Sequence, residues 1–444
     1  MEGDLIPVND HLIVSNQLKK AIKLRHAVAL YASSVFGSGI LILPGLAAQI
    51  AGPGSLVAWI LLSIASYPFA FTFAYLSARR PESGGIYSFA NEAFGQRMAN
   101  ITGWLFALWV ITGAPAVTLI AASYLGYAFP LNRSETLLIA FGVIVSAIAV
   151  NYRGIVMSNR VQLVLVASII ILLLITIGAS SFFVKQENFR PFFSNGFAPV
   201  GSAAALIFWS YLGYENVSNV ASEFVNPERD FKRSIILSVL IISCLYVSVA
   251  FVTIGTLAYK TGSNIAPFAS ILSHVFGTYG AAGTAIMAVF IIFGTVSAYT
   301  TGISRVFYSV SRDGGFPRVL DHVNAKTGVP DRSLFALFLC TIPVFIVYFF
   351  FNVNLEVALL VPSGAAILVY IIGAASGIRI LRVGSTGSEP KKKRVLYYSV
   401  ISLAVSLSVI AFVGWYLVFS FMAIAGALGY TAFFSRKARS KISS

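Results

Sequence analysis

Ser33-Ser34-Val35-Phe36-Gly37-Ser38-Gly39-Ile40 sets three serines and two glycines in the middle of an otherwise apolar run. A second interruption, Trp209-Ser210-Tyr211-Leu212-Gly213-Tyr214-Glu215-Asn216, does the same much later in the chain. Glycine weakens a helix by about 1 kcal/mol relative to alanine, and serine can bond to nearby backbone, so both segments unwind at modest cost. Unwound backbone at membrane depth is tolerated only where it is buried in protein or lines a cavity. Small residues also serve close helix packing, and either segment alone reads equally well that way. Position separates the two readings. The breaks open the first and the sixth apolar run, matching places in two five-helix halves, and matching interrupted helices point to an inverted-repeat site at the bilayer midplane.

The rest of the chain supplies the runs that this reading needs. Hydrophobic residues make up 57% and charged residues 11%, far below the roughly 25% charge of a soluble domain. Apolar stretches near the ~20 residues required to cross a bilayer fall at 27–50, 54–78, 104–129, 136–152, 160–184 and 201–224, then at 234–258, 278–311, 334–352, 355–380, 397–414 and 417–434. The expectation is an all-α membrane protein of twelve transmembrane helices. Residues 1–26 form a cytoplasmic tail, 27–184 a first five-helix repeat, 201–380 a second, 397–434 two further spans and 435–444 a basic cytoplasmic tail. Glu2, Asp4 and Asp10 precede any base, and no short apolar core with a cleavage site follows, so no signal peptide is expected.

Charge gives the orientation. Of 31 lysines and arginines, only Arg133, Lys185, Arg190 and Lys260 lie in loops opposite the amino terminus; the other 27 share its side. The positive-inside rule then places both termini in the cytoplasm. The net charge of +15 has the same origin, with clusters such as Lys391, Lys392, Lys393 and Arg394 beside anionic headgroups. Nucleic acid is excluded as a partner on that account, and the bilayer is the expected one. Cys244 and Cys340 both sit in apolar runs and say nothing about redox compartment.

An unwound helix exposes backbone groups that define a ligand. Free N–H groups near Gly37, Ser38 and Gly39 suit a carboxylate, aided by the positive end of the following half-helix. Free carbonyls near Trp209 and Leu212 suit an ammonium group. A zwitterionic α-amino acid fits both.

Four motifs carry a family resemblance. Phe36-Gly37-Ser38-Gly39-Ile40 resembles the first-helix GSGI motif of the amino acid, polyamine and organocation (APC) superfamily, whose members have the LeuT-like fold of 5+5 inverted repeats with broken helices 1 and 6. Pro81-Glu82-Ser83-Gly84-Gly85-Ile86-Tyr87 is similar to its P-x-S-G-G-x-Y loop, Asn226-Pro227-Glu228-Arg229 to the segment after span six, and Arg305 with Arg312-Asp313-Gly314-Gly315-Phe316-Pro317 to the end of its long eighth helix. Span six most resembles the arginine and agmatine exchangers, in which a tryptophan stacks on substrate. The resemblance implies a secondary active transporter, monomeric or homodimeric, in the cell membrane. It implies a substrate site of Ser34, Gly37, Ser38, Gly39 and Ile40 from span one, Trp209 as the stacking aromatic, and Leu212 and Gly213 at the ammonium end. Ala107, Leu108, Trp109 and Thr112 would line the side-chain pocket, with Phe290 or Phe293 opposite. No acidic residue in that set pairs a cationic side chain, so a neutral, apolar or aromatic amino acid is favoured over arginine or a polyamine. An antiporter or efflux exchanger is the alternative mode.

Glu215 is the carboxylate deepest in an apolar span, where an ionised one costs at least ~2.5 kcal/mol. It reads either as a proton-coupling group or as a structural carboxylate satisfied by unwound N–H groups, Asn216 or Ser218. Glu223, nearer the helix mouth, is expected to pair with Arg229, Lys232 or Arg233. Some proton-coupled relatives carry a lysine in the fifth helix; the run after Arg160 has none. A sodium site would use Ser34 with Ser297, Thr300 and Thr301. The coupling ion, H+ or Na+ if there is one, stays open, and no other cofactor or metal is expected.

An enzyme would need clustered nucleophiles, bases or metal ligands, yet His11, His26, His274 and His322 are scattered. A channel would need a repeated polar lining, which the apolar, aromatic runs do not supply.

Overall fold

Chain runs this apolar must satisfy their backbone groups internally, and helices do so within a single segment. In the computed structural model, which describes residues 18–442 except 19, 261–268, 270–271, 274–275, 352, 354, 384–389 and 411–412, the chain is all-helical. The helices are α1 Leu24–Val35, α2 Ser38–Ala51, α3 Ser55–Arg79, α4 Ile86–Phe94, α5 Gln96–Ala128, α6 Arg133–Tyr152, α7 Ile155–Ser181 and α8 Ala198–Phe208. They continue as α9 Pro227–Gly255, α10 Thr278–Arg312, α11 Asp331–Phe350, α12 Leu355–Val383, α13 Pro390–Ile410 and α14 Leu417–Ile442. Among the described residues, β pairing is limited to two single-residue bridges, Ile22 with Phe224 and Ser83 with Val220.

Among the described residues ten stretches are long and apolar enough to cross a membrane, two fewer than the sequence suggests. The reason is the interruptions. The first run breaks into α1 and α2, of 12 and 14 residues, and α2 joins α3 through the tight Gly52–Gly54 turn into one stretch. The sixth run supplies α8, with 11 residues, followed by 3-10 turns at Trp209–Tyr211, Asn216–Asn219 and Ala221–Glu223. Neither half-helix is long enough to span alone.

Burial sorts the helices. The spanning stretches of joined α2–α3, of α5 and of α10 are 67%, 72% and 61% buried, whereas those of α13 and α14 are 22% and 11% buried. The centre of the molecule therefore belongs to the interrupted runs and to the helices they pack on: α1 and α3 against α9, α2 against α8, and α5 against α10 and α12. On the amino-terminal face, the loop between α3 and α4 meets the end of the second interrupted run.

Candidate functional site

The two interruptions touch each other. Gly213 sits at φ +128° with its Cα against the Ser34 carbonyl; a Cβ there would lie 2.6 Å from that oxygen. Gly39 faces Ser210 in the same way, with a would-be Cβ 2.9 Å from the Ser210 Cα. Each break thus places its glycine on the backbone of the other, an approach that any side chain would block.

Side chains from the surrounding helices take up the freed carbonyls. The Tyr246 hydroxyl of α9 lies 2.6 Å from the Val35 carbonyl oxygen and 3.0 Å from that of Ser210, so one donor serves both breaks. Thr295 of α10 donates to the Ser33 carbonyl at 2.8 Å; within α2 itself, Tyr124 of α5 donates to the Leu41 carbonyl at 2.8 Å. The Asn216 amide donates to the Ser34 hydroxyl and to the Ala298 carbonyl, both at 2.9 Å, tying both breaks to α10. Buried backbone acceptors left without partners would be costly, and this set removes that cost.

At the junction lies a cavity of about 50 Å³, lined by Ser34, Val35, Gly37 and Gly39 from the first break and Trp209 and Leu212 from the second. Trp109, Val110, Gly113, Ala114 and Val117 of α5 and Thr295, Val296 and Tyr299 of α10 complete the wall. No charged side chain is among them. A second, larger chamber of about 620 Å³ opens beside it, between α2, α8, α5, α12 and the end of α13. Trp209 and Leu212 line both spaces and so form the partition between them. Gly37 caps α2, and Ser38 and Gly39 begin it; the first-turn N–H groups of α2 have no carbonyl of their own helix to bond.

The structure therefore brings together Ser34, Gly37, Gly39, Trp109, Trp209 and Leu212 of the residues singled out in the sequence. Gly213 supports the cavity through its backbone contact. Ile40 is fully buried outside the lining. On α5 the cavity-facing stripe is 109, 110, 113, 114 and 117, so Ala107, Leu108 and Thr112 fall off it, and the Thr112 hydroxyl turns back to the Leu108 carbonyl. On α10 the aromatic at the cavity is Tyr299. Phe290 is 37% exposed, and Phe293 packs half-buried against the core. The small pair Gly113-Ala114, one turn beyond Trp109, was the sequence signal for the α5 stripe. Thr295, Val296 and Tyr299 share a helical face but carry no comparable mark.

Glu215 is fully buried beside the cavity. It accepts the Gly213 N–H at 2.9 Å, the Tyr299 hydroxyl at 3.0 Å and the Tyr370 hydroxyl of α12. These donors, rather than Asn216 or Ser218, satisfy the carboxylate, and two of the three come from neighbouring helices. Glu223 differs from expectation: it pairs with Arg305 of α10, Nε to Oε1 at 2.6 Å, while Arg229 turns to Asp230 at 3.4 Å. Arg305 can reach it because α10 is long and buried, whereas Arg229 is largely exposed at the start of α9. Ser297 and Thr301 are hydrogen-bonded to Asn151 of α6, and Ser158 of α7 joins the same cluster; Thr300 is buried. Among the described residues no group of three His, Cys, Asp or Glu is placed to hold a metal.

A multi-pass helical bundle whose two interrupted helices meet around an uncharged central cavity is a membrane transporter in form. Residues 22–435 match the amino acid permease family, and the chain belongs to it, as its first-helix and loop motifs suggested. It is 31% identical to an uncharacterized amino acid permease of Bacillus subtilis (strain 168), over 93% of this chain and 95% of the relative. It is 28% identical to the L-methionine/branched-chain amino acid exporter of Escherichia coli (strain K12), over 92% and 95%, and 31% identical to a branched-chain amino acid permease of Bacillus subtilis (strain 168), over 70% and 71%. The protein is thus an amino acid transporter of the membrane, and the family is one of permeases, not enzymes.

Proposed function

We propose that the substrate is a neutral apolar amino acid of the methionine and branched-chain class, moved by alternating access across the cell membrane. The observation that carries this reading is the cavity at the junction of the breaks, which offers backbone N–H groups and carbonyls at one end and apolar walls without a charge at the other. The carboxylate sits at the start of α2 near Gly37 and Gly39, where the helix end favours negative charge. The ammonium group faces the carbonyls near Trp209 and Leu212, and the side chain lies against Val110, Ala114, Val117 and Val296. An arginine side chain would bury its charge there unpaired, at a cost of several kcal/mol. Two relatives named for branched-chain substrates support the same class.

The chain is proposed to form twelve spans, two of them interrupted, as two five-helix repeats with both termini cytoplasmic. The larger chamber then opens outward, and Trp209 with Leu212 separates it from the site. At about 50 Å³ the cavity holds a few waters, each needing about 10–15 Å³, so entry requires Trp209 to swing aside and the bundle of spans one, two, six and seven to rock against the rest. Coupling is proposed to run through Glu215, one hydroxyl away from the cavity at Tyr299. A sodium ion at Ser34, Ser297, Thr300 and Thr301 is the less favoured reading, because the Ser34 and Ser297 hydroxyls already accept from the Asn216 and Asn151 amides and the Thr301 hydroxyl donates to Asn151.

Purified protein in liposomes preloaded with mixed amino acids, challenged with each labelled amino acid in turn, tests the substrate class. Exchange of leucine, isoleucine, valine or methionine is expected. Exchange confined to charged amino acids would overturn it.

A further inference from the structure

Glu223 is the meeting point of three separate stretches of chain on the amino-terminal face. Its carboxylate is fully buried and receives Arg305 in a forked pair, Nε to Oε1 at 2.6 Å and Nη2 to Oε2 at 3.0 Å. Arg305, 1% exposed, turns its Nη1 to its own helix, at the Thr301 carbonyl and the Ser304 hydroxyl. The Glu223 carbonyl accepts the N–H groups of both Ala21 and Ile22 at 2.9 Å, and the Val225 N–H returns to the Ile22 carbonyl at 3.0 Å. Residues 20–23 are thereby fastened as a strap across the end of the second interrupted run. Beside it, the Ser222 and Ser83 hydroxyls lie 2.6 Å apart, and the Gly84 N–H reaches the Asn219 carbonyl at 3.2 Å.

A buried ion pair is a poor device for stability alone, since apolar residues of the same volume often do as well or better. It has one property that an apolar contact lacks: when the surrounding cleft opens, both charges regain water and much of the desolvation cost is returned. A contact of this kind suits an interface that must both form and part. Glu223 ends the interrupted sixth run, Arg305 belongs to the buried helix α10, and the opposite face already carries the open chamber.

We propose that the Arg305–Glu223 pair, with the 20–23 strap fastened to its backbone, is the latch that holds the amino-terminal face closed and sets the balance between the two access states. The proposal rests on the alternating-access reading given above.

The test uses full-length protein with Cys244 and Cys340 replaced by serine and a reporter cysteine at Ala114 in the cavity wall, labelled with a water-soluble thiol reagent in intact cells and in inverted vesicles. With the latch intact, labelling from the amino-terminal face is slow. Glu223→Gln keeps the shape but removes one charge, and should raise labelling from that face about tenfold or more, as a shifted two-state equilibrium requires. Arg305→Lys, which keeps the charge and loses the fork, should give a smaller rise. Adding Ser83→Cys and Ser222→Cys and oxidising them should return labelling to the starting rate. Unchanged labelling in Glu223→Gln overturns the latch. Should that variant fail to reach the membrane, the cysteine pair in the otherwise unaltered chain decides: oxidation must stop exchange and reduction restore it, and exchange that survives complete oxidation overturns the proposal. Labelling is read without substrate, so a failed substrate assignment leaves this result standing, while normal exchange of apolar amino acids with unmoved labelling sinks the latch alone.

Discussion

Gly213 and Gly39 show how single residues make this site. At Gly213 a methyl group would meet the Ser34 carbonyl oxygen at 2.6 Å from a backbone at φ +128°. Gly213→Ala is expected to cost about 2 kcal/mol or more, read as a lower unfolding temperature in detergent together with lost exchange. Glu215 makes a separate prediction. Its three donors, Gly213, Tyr299 and Tyr370, hold the second break to α10 and α12, and Glu215→Gln is expected to remove the pH dependence of exchange; an unaltered pH profile would assign the carboxylate to architecture alone. At this scale the sequence was informative where chemistry is rare. Two glycine-serine breaks and one carboxylate deep in an apolar run mark themselves. It was silent on Tyr246, Thr295 and Tyr299, because a hydroxyl that serves a freed carbonyl looks like any other buried tyrosine or threonine until the partner backbone is in place.

Among elements, α5 is the instructive case. Its apolar character extends all round the helix, so composition could not tell which stripe faces the centre, and the expected set at 107, 108 and 112 lies beside the cavity-facing one at 110, 113, 114 and 117. One residue of register in a helix is a rotation of about 100°. The stripe also predicts selectivity. A larger side chain at Ala114 fills space that the substrate side chain needs, and one methylene in such a pocket is worth roughly tenfold or more in discrimination. Ala114→Leu should therefore depress exchange of methionine and isoleucine at least about tenfold relative to alanine, measured as competition against labelled substrate; an unchanged preference would move the side-chain pocket elsewhere. The sixth run resisted sequence reading for a related reason. Beyond Phe208 it continues as 3-10 turns rather than as a regular half-helix, since Glu215 and Asn216 find partners off the helix axis that a straight α-helix would deny them.

For the whole molecule, burial is concentrated on the interrupted runs and their neighbours, while α13 and α14 stay at the rim. The rim helices are not detached from function. Val409 at the end of α13 and Val413 beyond it line the larger chamber, and Gly364 of α12 lets Ser420 and Val413 approach closely. On the amino-terminal face Tyr87 joins α4 to the end of α10 by donating to Asp313 at 2.9 Å; burial pushes its hydroxyl above the usual tyrosine range, so it stays a donor. The asymmetry of lysine and arginine predicts that a reporter active only in the cytoplasm works when fused to either terminus. Activity at one end alone would revise the number of spans, which the charge count and the two breaks together carry.

The central claim is that the junction of the two breaks is the amino acid site. Equilibrium binding of labelled isoleucine and methionine to purified protein, compared between the unaltered chain and Gly39→Ala, tests it most directly, because the added methyl would press on Ser210 at the centre of that junction. Saturable binding is expected, weakening about tenfold or more in a variant that still elutes as folded protein. Equal affinity in both proteins would contradict it.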